Sequence, residues 1–144
     1  MNILILHGPN MNLIGVHSAA AGEQITLDKI NHALQRKARE MDATLKILQT
    51  HDRAKAITFL QRNRNWAEGC LIAPGAWARS AYDLRDTLQL CKIRTVEIHF
   101  DTPYDPSKHG AASILSETCL STETASPVDA YLNGLKLLTT ATGE

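Results

Sequence analysis

The chain is short of cysteine, of net charge and of long apolar runs, and each shortage narrows what it can be. Cys70, Cys91 and Cys119 are an odd number with no C-x-x-C spacing, which argues against a disulfide framework and against a structural zinc site. His17, His32, His51 and His109 show no metal-ligand spacing either and read as surface residues. Lys plus Arg equals Asp plus Glu, 15 against 15. A neutral chain lacks the positive field that nucleic acid or an anionic membrane requires, so neither is expected as a partner. Its small self-repulsion suits an oligomer. The opening run Met1–Leu6 has no basic leader and is too short for a membrane span or a signal peptide, so the expected location is the cytoplasm. No G-x-G-x-x-G, P-loop, G-x-S-x-G or H-E-x-x-H sequence occurs, and neither cofactor nor metal is expected.

What is present is an ordinary globular composition, 44% hydrophobic and 21% charged over 144 residues, enough for one domain with a real core. Four apolar runs have strand chemistry: 2–6, 44–49, 69–73 and 93–99. A weaker fifth falls around 114–120. Helical spacing lies between them. Leu27, Ile30, Leu34 and Ala38 follow Thr26 as N-cap; Ala54, Ile57, Leu60 and Trp66 suggest a second helix, and Leu84, Leu88 and Cys91 a third. The last helix opens on Ser126 as N-cap and Pro127 at N1. Strands alternating with helices predict one α/β domain over 1–144, its parallel sheet covered on both faces.

Two long connections, 7–24 and 100–113, are of the length that binds or covers something. In a five-stranded sheet of order 2-1-3-4-5, the crevice lies at the carboxyl ends of strands 1 and 3. There His7-Gly8-Pro9-Asn10 and Ala73-Pro74-Gly75-Ala76 bring turns together. Asn10 has two readings, a donor to a developing oxyanion or a side chain that closes its own turn. Glu97 and His99, two apart on a strand, point to one face. They form either an oriented acid pair or a structural pair. Arg79, at the start of the third helix, is placed to meet an anionic ligand or to be a solvated helix charge.

The runs Ile5-Leu6-His7-Gly8-Pro9-Asn10-Met11-Asn12-Leu13-Ile14-Gly15, Pro74-Gly75-Ala76, Leu84-Arg85-Asp86 and Val96-Glu97-Ile98-His99 together resemble the type II 3-dehydroquinate dehydratases. The resemblance implies a flavodoxin-like three-layer sandwich, trimers assembled into a dodecamer, and cofactor-free loss of water from a cyclic keto acid through an enolate. It assigns catalytic roles to Asn10, Glu97 and His99. It places substrate contacts at Arg79, Ser80, Phe100 and Asp101, with Asp86 reaching a neighbouring subunit's site. The lid departs from the pattern. The arginine position falls on His17 and the tyrosine position on Gly22, with Ala21 and Glu23 on either side. The asparagine before Pro-Gly-Ala is Ala73, the following histidine is Arg79, the serine after the fourth strand is Asp101, and the loop arginines fall near Pro106 and Gly110. These departures predict a repurposed small-molecule site, with Arg79 placed to meet an anionic group, or a silent paralogue. The alternative is an active dehydratase that uses His17, Glu23, Tyr82 or Tyr104 as its base.

Overall fold

Ile3, Leu4, Ile5 and Leu6 have no solvent exposure because their strand is covered on both sides. This strand, β1 (Asn2–His7), belongs to a five-stranded parallel sheet with β2 (Thr44–Gln49), β3 (Gly69–Ala73), β4 (Thr95–Phe100) and β5 (Ser121–Ala125). The structure is a computed structural model and describes residues 1–106 and 112–141. The strand order is β2-β1-β3-β4-β5, as expected, and the fold is the flavodoxin-like α/β sandwich.

Alternation along the strands divides the core. Ile3, Ile5, Leu71, Val96 and Ile98 pack toward Ile30 and Leu34 of α2 (Leu27–Glu40) and Tyr131, Leu135 and Leu138 of α6 (Pro127–Ala141). Leu4, Leu6, Cys70 and Ile72 pack toward Ala56 and Leu60 of α3 (Arg53–Asn63) and Leu84 and Leu88 of α5 (Tyr82–Cys91). Thr26 caps α2, its hydroxyl accepting from the Lys29 amide at 3.1 Å. At the start of α6 the Ser126 carbonyl accepts from the Ala130 amide, while its hydroxyl donates to the Asp129 carboxylate at 2.9 Å. Among the described residues no helix is long and apolar enough to cross a membrane.

Four sequence expectations are corrected. The fifth strand is Ser121–Ala125, not 114–120, which instead holds a 3-10 turn at Ser116–Thr118. An edge strand has one partner and one open side, so this one needs no apolar run. The third helix is two: α4 (Trp77–Ser80) and α5, separated where Ala81 leaves helical geometry at ψ 66°. Trp66 falls beyond the end of α3. The connection 7–24 is no irregular loop but carries a 3-10 turn at Met11–Leu13 and then α1 (Ile14–Ala20).

Candidate functional site

Two turns interlock at the carboxyl ends of β1 and β3. The Gly8 amide donates to the Ala73 carbonyl at 2.8 Å. A Cβ on Gly8 would lie 2.7 Å from the carbonyl oxygens of Ala73 and Pro74, so only glycine fits. Gly75, at φ 56°, faces the Pro9 carbonyl just as closely: a Cβ there would meet it at 2.9 Å. His-Gly-Pro-Asn and Pro-Gly-Ala are thus two halves of one scaffold. Asn10 emerges from it exposed, in the left-handed region at φ 69°, with no capping bond from its side chain. Backbone bonds close the turn instead, from the Leu13 amide to the Asn10 carbonyl at 2.9 Å. The local-closure reading of Asn10 therefore fails, and its amide is presented to solvent.

Val96, Ile98 and Phe100 of β4 face α2 and α6, so alternation puts Glu97 and His99 on the opposite side of the sheet, that of α3 and α5. Glu97 is fully buried, and its Oε2 lies 2.8 Å from His99 Nε2. Ser116 donates to the other oxygen, Oε1, at 2.9 Å. Burial works to raise the Glu97 pKa, but the hydrogen bonds from His99, Ser113 and Ser116 and the charge of His99 outweigh it and hold the carboxyl below its ordinary value. Glu97 is therefore ionised near neutrality, and an ionised carboxylate only accepts. His99 consequently keeps its proton on Nε2. Burial, with Glu97 adding to it, pushes the neighbouring Cys119 thiol up to about 12, so it is no nucleophile.

The other expected residues lie on the helices that follow β3 and at the end of β4. Arg79 and Ser80 are exposed on α4, which has only four residues. Ser80 lines a cleft of about 760 Å³ on the α3/α5 side of the interlocked turns, together with Pro9, His51, Arg53, Trp77 and Asp83. Asp86 is exposed on α5 and approaches Arg85 at 3.5 Å. The side chain of Phe100 turns away from the crevice into the core. It is 5% exposed and packs in the core against Tyr131, ring centroids 6.0 Å apart. The Asp101 amide donates to the Ala125 carbonyl at 3.0 Å, so it is already committed to the sheet edge. His17, His32 and His51 are exposed, as read from the sequence; His109 and Gly110 lie outside the described residues.

The lid segment is tied down. Ser18, fully buried, donates to the Ile25 carbonyl at 2.9 Å and accepts from the Ile25 amide at 3.0 Å, fastening α1 to the start of α2. The tyrosines offer no activated phenolate there. Burial, then the neighbouring Glu23 carboxylate, pushes Tyr104 up to about 12, so its phenol stays neutral. Tyr82 is 53% exposed and stacks under the Arg85 guanidinium at 4.9 Å.

Sequence reasoning missed two groups. Ser113 and Ser116 lie far along the chain from Glu97, and no spacing rule connects them. His7 was read only as part of a turn. In the structure it is fully buried, its Nδ1 2.6 Å from the Tyr131 hydroxyl and its Nε2 2.8 Å from Asn31 Oδ1. A neutral ring protonated at Nε2 satisfies both contacts. Burial, opposed by the Asn31 bond, lowers its pKa to about 4.

The sequence matches the family Dehydroquinase class II over residues 1–139. The chain belongs to that family. It is 36% identical over 111 residues to the 3-dehydroquinate dehydratase of Roseiflexus castenholzii, covering 76% of this chain and 71% of that one. It is 28% identical over 138 residues to the enzyme of the same name from Dictyoglomus turgidum, covering 96% and 95%. The crystal structure of type II dehydroquinase from Butyrivibrio crossotus has the same fold, with a TM-score of 0.84 at 19% identity over 96% of this chain and 97% of that one.

Proposed function

We propose that this class II dehydroquinase homologue keeps the proton-donating half of the family's site and lacks the proton-abstracting half. On this reading it is a small-molecule site without ordinary dehydroquinate turnover. The observation that carries the reading is the lid: Gly22 and His17 stand where the resemblance puts the tyrosine base and its arginine. Asn10 supplies an exposed amide beside the crevice, and His99, its Nε2–H held by an ionised Glu97, supplies a proton from its other ring nitrogen, Nδ1, in the imidazolium form. Removing a proton beside a carbonyl needs an activated base, which contributes about 10²–10⁴ in rate. The neutral phenol of Tyr104 does not meet that need. Ala73 and the committed Asp101 amide also remove substrate contacts, each worth on the order of 1–3 kcal/mol.

The retained dyad favours a working pocket over an idle one. A buried charged carboxylate is costly to keep where an apolar residue would serve packing alone. Arg79, exposed beside the crevice, would meet an anionic group on the ligand. We further propose a homo-oligomer in which Asp86, on the exposed face of α5, faces a neighbouring copy. The test is direct. Purified protein is mixed with 3-dehydroquinate and the conjugated enone followed in the ultraviolet. We expect no product above the uncatalysed rate, with binding of 3-dehydroquinate still visible as a thermal shift. Brisk dehydration overturns the reading.

A further inference from the structure

We propose that Ser116, assisted by Ser113, is a positioning residue that locks the Glu97 carboxylate and through it fixes the proton of His99 on Nε2. The inference rests on the reading of His99 as proton donor and names what holds that donor in place. A carboxylate has two equivalent oxygens, and rotation about its last bond exchanges them. Here each oxygen is claimed by a different partner, Oε2 by His99 at 2.8 Å and Oε1 by Ser116 at 2.9 Å. Rotation would break both bonds at once inside a site with no exposure at Glu97. The carboxylate plane is therefore set, and with it the Nε2–H of the imidazole, which leaves Nδ1 as the nitrogen that exchanges a proton with a ligand.

Ser116 is an exposed position and Ser113 a half-buried one, and the turn that carries them is fixed by its own bonds. Ser113 accepts from the Leu115 amide at 3.1 Å, which leaves its own hydroxyl proton for Glu97. Leu115 is fully buried, and its carbonyl takes both the Thr118 amide at 3.0 Å and the Thr118 hydroxyl at 2.9 Å. The Leu120 amide then joins the turn to the Thr95 carbonyl at 2.7 Å, on the strand that carries the dyad. The segment the sequence suggested as a strand is instead a clamp, and its turn geometry is what points two hydroxyls inward.

The experiment uses the full chain labelled with ¹³C at glutamate carboxyls and ¹⁵N at histidine. Ser116→Ala removes the donor at Oε1, so Glu97 should protonate more easily, by about tenfold, an upward move of roughly one pH unit in its ¹³C titration. The His99 Nε2 proton signal should broaden through faster exchange. Ser116→Thr, which keeps a hydroxyl, should return both signals to those of the parent. An unchanged Glu97 titration and an unchanged Nε2 proton in Ser116→Ala overturn the proposal. If Ser116→Ala does not fold, Ser113→Ala gives the same readout with a smaller expected change, and its absence there counts equally against the clamp. Failure of the underlying reading shows separately, as His99→Ala binding 3-dehydroquinate with the parent's thermal shift while the serine variants still move Glu97.

Discussion

Acidification should destabilise this protein between pH 6.5 and about 4 through one buried ring, His7. The imidazole is fully buried, accepts the Tyr131 hydroxyl at 2.6 Å and donates to Asn31 Oδ1 at 2.8 Å. Burial keeps a charged ring from water, and a second ring proton would also oblige the Tyr131 hydroxyl, now the donor, to accept instead. The folded pKa is therefore lowered, to about 4 from the ordinary 6.5. In that interval the unfolded chain binds the proton and the folded chain refuses it, so stability falls as pH falls. At 1.36 kcal/mol per pH unit the full interval corresponds to roughly 3 kcal/mol, of which about 2 kcal/mol separates pH 7 from pH 4.5. Urea unfolding at those two pH values should show a midpoint lower by about 1 M at the acid end, for a slope of about 2 kcal/mol per M. Glu97, whose carboxyl is held below its ordinary value, adds its own loss only at still lower pH. His7→Gln cannot titrate. It should be less stable at neutral pH, for want of the ring's contacts, yet lose much less on acidification. A variant that keeps the parent's pH slope refutes the assignment, as does a measured His7 pKa near 6.

Two further outcomes follow from the crevice and the lid. Gly8→Ala places a methyl 2.7 Å from two backbone oxygens and should cost about 3 kcal/mol in thermal or urea unfolding. Gly22→Ala, at φ 80° with nothing within 4 Å, carries only backbone strain of about 1 kcal/mol, and equal losses in the two variants would refute the interlocked-turn account. Ser18→Ala removes the acceptor of the Ile25 amide and the donor to its carbonyl. Hydrogen exchange at Ile25 should quicken by about tenfold or more, with global stability lowered by on the order of 1–3 kcal/mol. Unaltered exchange there means the lid is held by something else.

The sequence by itself determined the architecture, because its signals were local and mutually consistent. Apolar runs such as Ile3–Leu6 have the length and β-branched content of strands covered on both faces, and the spacing from Leu27 to Ala38 behind Thr26 is that of a helix buried along one face. It also placed Glu97 and His99 on one face, since period two is a property of any strand. Tertiary structure decided what depends on contacts between distant segments. Ser121–Ala125 is a strand because β4 offers it an edge, not because its own residues demand one. Phe100 turned inward to Tyr131, and the Asp101 amide went to Ala125, neither of which their neighbours in sequence foretell. Glu97 stays charged in the core because His99 bonds it from its own strand and Ser113 and Ser116 reach back to it across a turn. Hydrogen bonds of that kind satisfy buried groups without leaving any periodic trace in the chain, and so they become visible only once the chain is folded.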